Sequence, residues 1–134
     1  MRLNQVTLKA GDVGACTEFY ERLGFHLIVD SRPRYVRFEC PEGEATFSVE
    51  LSHDLSPGER SEIYFECDPL DEICERLMRR GLEFEHPPKD QPWLWREARL
   101  RDPAGNVVVL YSAGENRRFP PWRVDGLTAP AAAG

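Results

Sequence analysis

The chain repeats itself, and that constrains its fold more than any single motif. Sliding the sequence by 57 positions lays Gly24 on Gly81 and Gln5 on Glu62, and puts Val6, Leu8 and Phe25 on Ile63, Phe65 and Leu82. Both halves read in the order βαβββ. The first has a strand at 2–9, a helix at 13–23 and strands near 25–30, 34–40 and 45–52. The second has a strand at 62–67, a helix at 69–80 and strands near 82–86, 94–101 and 106–112. The first helix is expected to open after Asp12 as N-cap and to stop at Gly24. The second is expected to open with Asp68 as N-cap and Pro69 at its first position, and to stop at Gly81. Each carries an apolar stripe at helical spacing: Val13, Cys16, Phe19, Tyr20 and Leu23, then Leu70, Ile73, Cys74 and Leu77. A duplicated βαβββ unit implies an α+β fold in which helices cover one face of each sheet. The expected modules span 1–57 and 58–112, followed by an extension at 113–134 whose end frays.

The face turned away from the helices needs an occupant. Asp102-Pro103-Ala104-Gly105-Asn106 supplies turn chemistry, but Val107 to Tyr111 is apolar or aromatic throughout, unlike a strand with one wet side. Alternation sends Val108 and Leu110 to the helices and leaves Val107, Val109 and Tyr111 on the second face. Gln5, Tyr35, Arg37, Ser48 and Glu50 of the first half fall on that face as well. So do Glu62, Tyr64, Trp93, Trp95, Glu97 and Arg99 of the second. A polar face interleaved with aromatics suits a ligand pocket better than plain solvent.

Composition removes several function classes. The 134 residues suffice to bury roughly two thirds of the unfolded surface. A formal charge of −6 leaves no basic surplus to displace counterions from a nucleic acid. No apolar run approaches the ~18 residues of a membrane span. Met1 to Gln5 is too short and polar for a signal peptide, so a cytoplasmic location is expected. Cys16, Cys40, Cys67 and Cys74 form no C-x-x-C pair and sit in apolar periodic segments, which predicts reduced, buried thiols.

Three stretches resemble the vicinal oxygen chelate superfamily, the glyoxalase, bleomycin-resistance and extradiol-dioxygenase group. They are Leu3 to Leu8 with the helix exit Phe19-Tyr20-Glu21-Arg22-Leu23-Gly24-Phe25; Trp93-Leu94-Trp95-Arg96-Glu97, similar to the family's "WGxRE"; and Asp102 to Asn106, similar to its "DPDGN". Leu94 and Ala104 depart from the pattern. The resemblance implies two βαβββ modules whose mixed sheet curls around a cavity, usually in a homodimer, with one metal ligand on each of four strands. Carried over, those ligand positions fall on Gln5, Glu50, Glu62 and Val109. Val109 cannot ligate, and Glu62 replaces the usual histidine. Three oxygen donors would hold Mg²⁺ or Mn²⁺ weakly, and without an ion Arg37 and Arg99 would balance Glu50 and Glu62 or take an anionic substrate group.

Two functions follow as expectations. One is a binding protein for a small organic, anionic or aromatic molecule, with Tyr35, Tyr64, Trp93, Trp95 and Tyr111 as flat contacts and Arg37, Glu97, Arg99 and Val109 lining the pocket. The alternative is a glyoxalase-type lyase or isomerase that depends on a divalent metal, with Glu50 or Glu62 moving a proton next to a carbonyl. His53 is expected in a solvated loop, and His86-Pro87-Pro88 at a strand end. The stretch Arg117-Arg118-Phe119-Pro120-Pro121-Trp122-Arg123 is too aromatic for a plain linker and is expected to dock on the domain or a twin subunit.

Overall fold

A computed structural model describes residues 1–54 and 60–131, so the expected module boundary at residue 57 lies outside the described residues. The first module consists of β1 (Gln5–Ala10), α1 (Val13–Leu23), β2 (His26–Ser31), β3 (Tyr35–Glu39) and β4 (Thr46–Leu51). The second repeats the order with β5 (Glu62–Glu66), α2 (Leu70–Arg79), β6 (His86–Asp90), β7 (Arg96–Arg101) and β8 (Val107–Ser112). The sheets are ordered β1-β4-β3-β2 and β5-β8-β7-β6. Each pairs its first and last strands in parallel and is otherwise antiparallel. They curl without closing.

Local chemistry explains most element ends. Asp12 accepts the Ala15 amide at 3.0 Å to cap α1, and Gly24 ends it at φ 108°, a left-handed conformation a side chain would strain. The start of α2 differs from expectation. Pro69 occupies the N-cap position in extended geometry without a side-chain cap, so Asp68 stands one residue too early; Asp71 and Glu72 in the first turn complement the helix dipole instead. The strand expected near 82–86 is displaced to His86–Asp90. Leu82 and Phe84 pack onto the core outside any strand, the Leu82 amide closing the end of α2 on the Leu77 carbonyl, and the ladder begins where the Glu85 amide donates to the Arg99 carbonyl at 2.8 Å. Pro87 and Pro88 are tolerated inside β6 because it is an edge strand whose register slips between His86 and Lys89.

The core is shared between the modules. Phe47 is 1% exposed and packs on Tyr20, Phe25 and Phe38, while Phe65 of β5 meets Phe25 and Phe47 at 4.5 and 5.4 Å. A buried polar joint closes the same seam. The Asp102 carboxylate accepts the Ala104 and Asn106 amides, the Asn106 side chain and the Tyr20 hydroxyl, all within 2.9 Å. The Asn106 side chain in turn donates to the Lys9 carbonyl at 3.1 Å and accepts the Ser61 amide at 3.0 Å. The turn preceding β8 is thus a clamp on the ends of β1 and α1 as well as a reversal.

All four cysteines are free; Cys16 and Cys74 are buried, Cys40 and Cys67 half-buried. Burial, aided by the charge of Asp102, pushes the Cys16 thiol up to about 12; burial pushes Cys74 to about 12 and Cys67 to about 11. These groups keep their protons in the folded state while unfolded thiols lose theirs above about 8.5. The stability they lend is therefore complete below that pH and is lost between roughly 8.5 and 12, at up to about 1.4 kcal/mol per pH unit per thiol. Urea melts across this range should show a steady fall in midpoint. A flat profile to pH 10.5 would contradict the burial of the thiols.

Candidate functional site

The second face of the second sheet carries a compact aromatic group. Trp95 and Tyr111 stack at 4.7 Å with planes 18° apart, and Tyr64 stands edge-on to both at 6.0 and 5.9 Å. Register places them there: Tyr64 opposes Val109 across β5–β8, and Glu97 opposes Tyr111 across β7–β8. Val107, Val109 and Tyr111 are all buried, forming a small second core on which Trp95 packs. The expected facing of β8 is therefore observed, with helices on one side and this aromatic floor on the other.

Trp93 and Leu94 make a lip beside the floor. The Trp93 indole donates to the buried Glu97 carboxylate at 2.5 Å. Leu94 adopts φ 67°, the one left-handed non-glycine residue described, in a turn closed by the Gln91 and Leu94 amides. This is the residue where the sequence departs from a glycine, and the conformation costs on the order of 1–2 kcal/mol. Such strain persists only where surrounding contacts hold it, and here the Trp93–Glu97 bond and the β7 ladder do so. Trp93 and Leu94 remain 45% and 48% exposed.

Charge is arranged around the floor. Arg99 Nε is buried 3.0 Å from Glu85 Oε2 but out of line for a hydrogen bond, and it has no hydrogen-bond partner among the described residues. Arg101 takes the other oxygen of Glu85. The Tyr64 hydroxyl is raised first by burial, then by the neighbouring Glu62 carboxylate, with Glu97 adding to this and Arg99 opposing it. It therefore remains a protonated donor through neutral pH. Burial raises Tyr111 too, with Arg117 of the extension close enough to offset part of the shift. The Trp95 indole reaches the Asn116 carbonyl at 3.4 Å, which roots the extension beside the floor.

The first module's second face is a closed polar network. The Gln5 amide donates to Ser48 Oγ at 2.8 Å and to the Val6 carbonyl at 3.0 Å, and its oxygen accepts from Thr46. The Ser48 hydroxyl also meets Tyr35, whose hydroxyl accepts Arg37 Nε at 3.0 Å. Ser48 is fully buried. Glu50 is exposed and pairs with Lys9 and Tyr35, whereas Gln5 pairs with Thr46, so Gln5 and Glu50 lie four residues apart along the strand. At ~3.3 Å per residue that is about 13 Å. Thr46 and Ser48, not Glu50, are the β4 side chains beside Gln5. Alternation places all three on the polar face, and only the register of β1 on β4 separates them.

These residues do not fit a resident cation held within one chain. The Gln5 amide is spent on Thr46 and Ser48, Glu62 belongs to the other sheet, and Val109 offers methyl groups. Among the described residues no three carboxylate, imidazole or thiolate groups converge to hold an ion. Two open depressions lie away from the aromatic floor. One of about 380 Å³ includes Asp12, His53, Arg60 and Pro103; the other, about 330 Å³, lies between α2 and β6. No described helix is long and apolar enough to cross a membrane.

The family model of the Glyoxalase/Bleomycin resistance protein/Dioxygenase superfamily matches residues 2–110. Among solved structures the chain is similar to a glyoxalase/bleomycin resistance protein/dioxygenase from Nocardioides, at 24% identity and TM-score 0.70, over 84% of this chain and 83% of that one. It is similar to a lactoylglutathione lyase from Agrobacterium tumefaciens at 21% identity and TM-score 0.69, over 83% and 92% of the two chains. A bleomycin-binding protein complexed with bleomycin aligns at 21% identity and TM-score 0.70, over 84% and 98%. At such identities the likeness establishes the fold. No curated protein matches the chain.

Proposed function

The chain belongs to the glyoxalase/bleomycin resistance protein/dioxygenase superfamily, and from that premise we propose that it binds a small aromatic molecule bearing an anionic group on the second module's open face. Arg99 is the observation that carries this reading. Its buried Nε sits 3.0 Å from Glu85 Oε2, a carboxylate shared with Arg101, yet makes no hydrogen bond among the described residues, and it stands beside a floor of three aromatic rings. An anion would supply the missing acceptor, and a charge-assisted hydrogen bond to it is among the stronger polar contacts. Trp95 and Tyr111 would take the flat part of the ligand, with Trp93 and Leu94 as the lip. The known binding of bleomycin by a structural neighbour supports a ligand-holding role for the fold. Metal-dependent proton transfer is the weaker reading, since Val109 and the committed Gln5 amide leave too few donors.

The test is tryptophan fluorescence titrated with 2-naphthoate, with the neutral naphthalenemethanol and the cationic naphthylmethylammonium as controls. Arg99→Gln should weaken naphthoate about tenfold, some 1.4 kcal/mol, and leave the alcohol unaffected. Tighter binding of the cation, or naphthoate binding indifferent to Arg99→Gln, would remove the basis for the assignment.

A further inference from the structure

One carboxylate beside the aromatic floor is buried without a cation. Glu97 is 8% exposed, and among the described residues its one donor is the Trp93 indole, which takes Oε2. Oε1 is offered no donor among those residues. Lys89 opposes Glu97 in register across β6–β7, yet stays exposed and makes no ion pair with it. The arginines of β7 are engaged elsewhere: Arg96 pairs with Asp71 and Asp90, and Arg99 and Arg101 lie against Glu85. The charge of Glu97 reaches the Tyr64 hydroxyl, so it sits on the floor's side of the sheet. A carboxylate accepts up to about four hydrogen bonds, and burying one is costly unless its oxygens are satisfied. The folded chain supplies one donor and leaves room for another.

We infer that Glu97 selects the ligand by accepting a hydrogen bond from it, which narrows the ligand class to aromatic acids carrying a hydroxyl opposite the acid group. This rests on the reading of Arg99 as the anchor of the anion. Glu97 and Arg99 stand two residues apart on β7 and share its second face, about 6.6 Å along the strand at ~3.3 Å per residue. That spacing is close to the span from a carboxylate to the para oxygen of one benzene ring. Register lays an apolar track beside the pair: Tyr111 opposes Glu97 and Val109 opposes Arg99, both buried, with Tyr64 on the far side of Val109. The two charges divide the work. Arg99 answers the acid, whereas Glu97 rejects a second anion, and leaves an ether or a bare ring unrewarded because neither can donate. A phenol, titrating at about 10, keeps its proton at neutral pH and gives a carboxylate a charge-assisted bond. The Trp93 indole holds Oε2, so Oε1 is the oxygen turned to the ligand.

Tryptophan fluorescence titrations at neutral pH with benzoate, 4-hydroxybenzoate, 4-methoxybenzoate and 4-(aminomethyl)benzoate test this. The wild type should bind 4-hydroxybenzoate about tenfold more tightly than benzoate, and 4-methoxybenzoate no more tightly than benzoate. Glu97→Gln keeps the shape and an acceptor for the Trp93 indole but turns an amide N–H to the ligand, so the hydroxyl preference should fall below about twofold, with circular dichroism to verify folding. The comparison of hydroxyl with methoxy in the wild type needs no variant. Benzoate binding that depends on Arg99 but shows no gain from the hydroxyl overturns this inference alone, as does a preference that survives Glu97→Gln. Tighter binding of the aminomethyl compound would make the partner of Glu97 an ammonium group and overturn the hydroxyl. Benzoate binding indifferent to Arg99→Gln would overturn the anion anchor and this inference with it.

Discussion

Asp102→Ala is expected to lose about 4 kcal/mol of unfolding free energy, seen as a lower urea midpoint at unchanged slope. The carboxylate is 4% exposed and accepts four hydrogen bonds: from the Ala104 and Asn106 amides, the Asn106 side chain and the Tyr20 hydroxyl. Truncation strands those donors in a seam with little room for water, and each unsatisfied buried donor costs roughly 1–3 kcal/mol. Partial relaxation keeps the total below the sum. Tyr20→Phe removes one donor and leaves the carboxylate three, so a loss of about 1 kcal/mol is expected there. If Asp102→Ala cost no more than Tyr20→Phe, the turn would be a simple reversal and its clamping role would be wrong.

Phe47→Ala should be comparably damaging, at about 4 kcal/mol. Its ring touches four others, at 5.0 Å to Tyr20, 4.9 Å to Phe25, 5.1 Å to Phe38 and 5.4 Å to Phe65. Phe65 belongs to the second module, so the cavity opens on the joint between sheets rather than within one of them. Phe47→Leu keeps most of the volume and should cost about 1–1.5 kcal/mol. Thermal melts of the two variants separate cavity formation from loss of aromatic edges. Equal effects of Ala and Leu would mean that ring geometry, not filled volume, holds the seam.

Much of the architecture was readable from residues alone. The apolar stripe and the Asp12 and Gly24 stops place α1 at Val13–Leu23, and alternation assigns the faces of β4, β5 and β8. Both rest on local periodicity, which burial enforces along each element. What escaped depends on contacts between segments far apart in the chain. Whether Gln5 neighbours Ser48 or Glu50 is a matter of parallel register, which no local pattern encodes. The Asn116 root of the extension, 21 positions from Trp95, is tertiary in the same sense. Two prolines argue against a strand at His86–Asp90, and the strand exists because the edge of a sheet excuses them. Leu94 is different: its departure from a glycine was visible, and the left-handed backbone explains why a glycine suits that turn.

The clamp at Asn106 also has a consequence in time. It bonds the carbonyl of Lys9 from 97 positions away, while Asp102 takes the Tyr20 hydroxyl from 82 positions away. At about 5–20 residues per second, a ribosome needs roughly 5–20 s to travel from Lys9 to Asn106. Through that interval β1 and α1 wait with a carbonyl and a hydroxyl unanswered. The first module is translated first, but its polar closure must await nearly the last strand of the second.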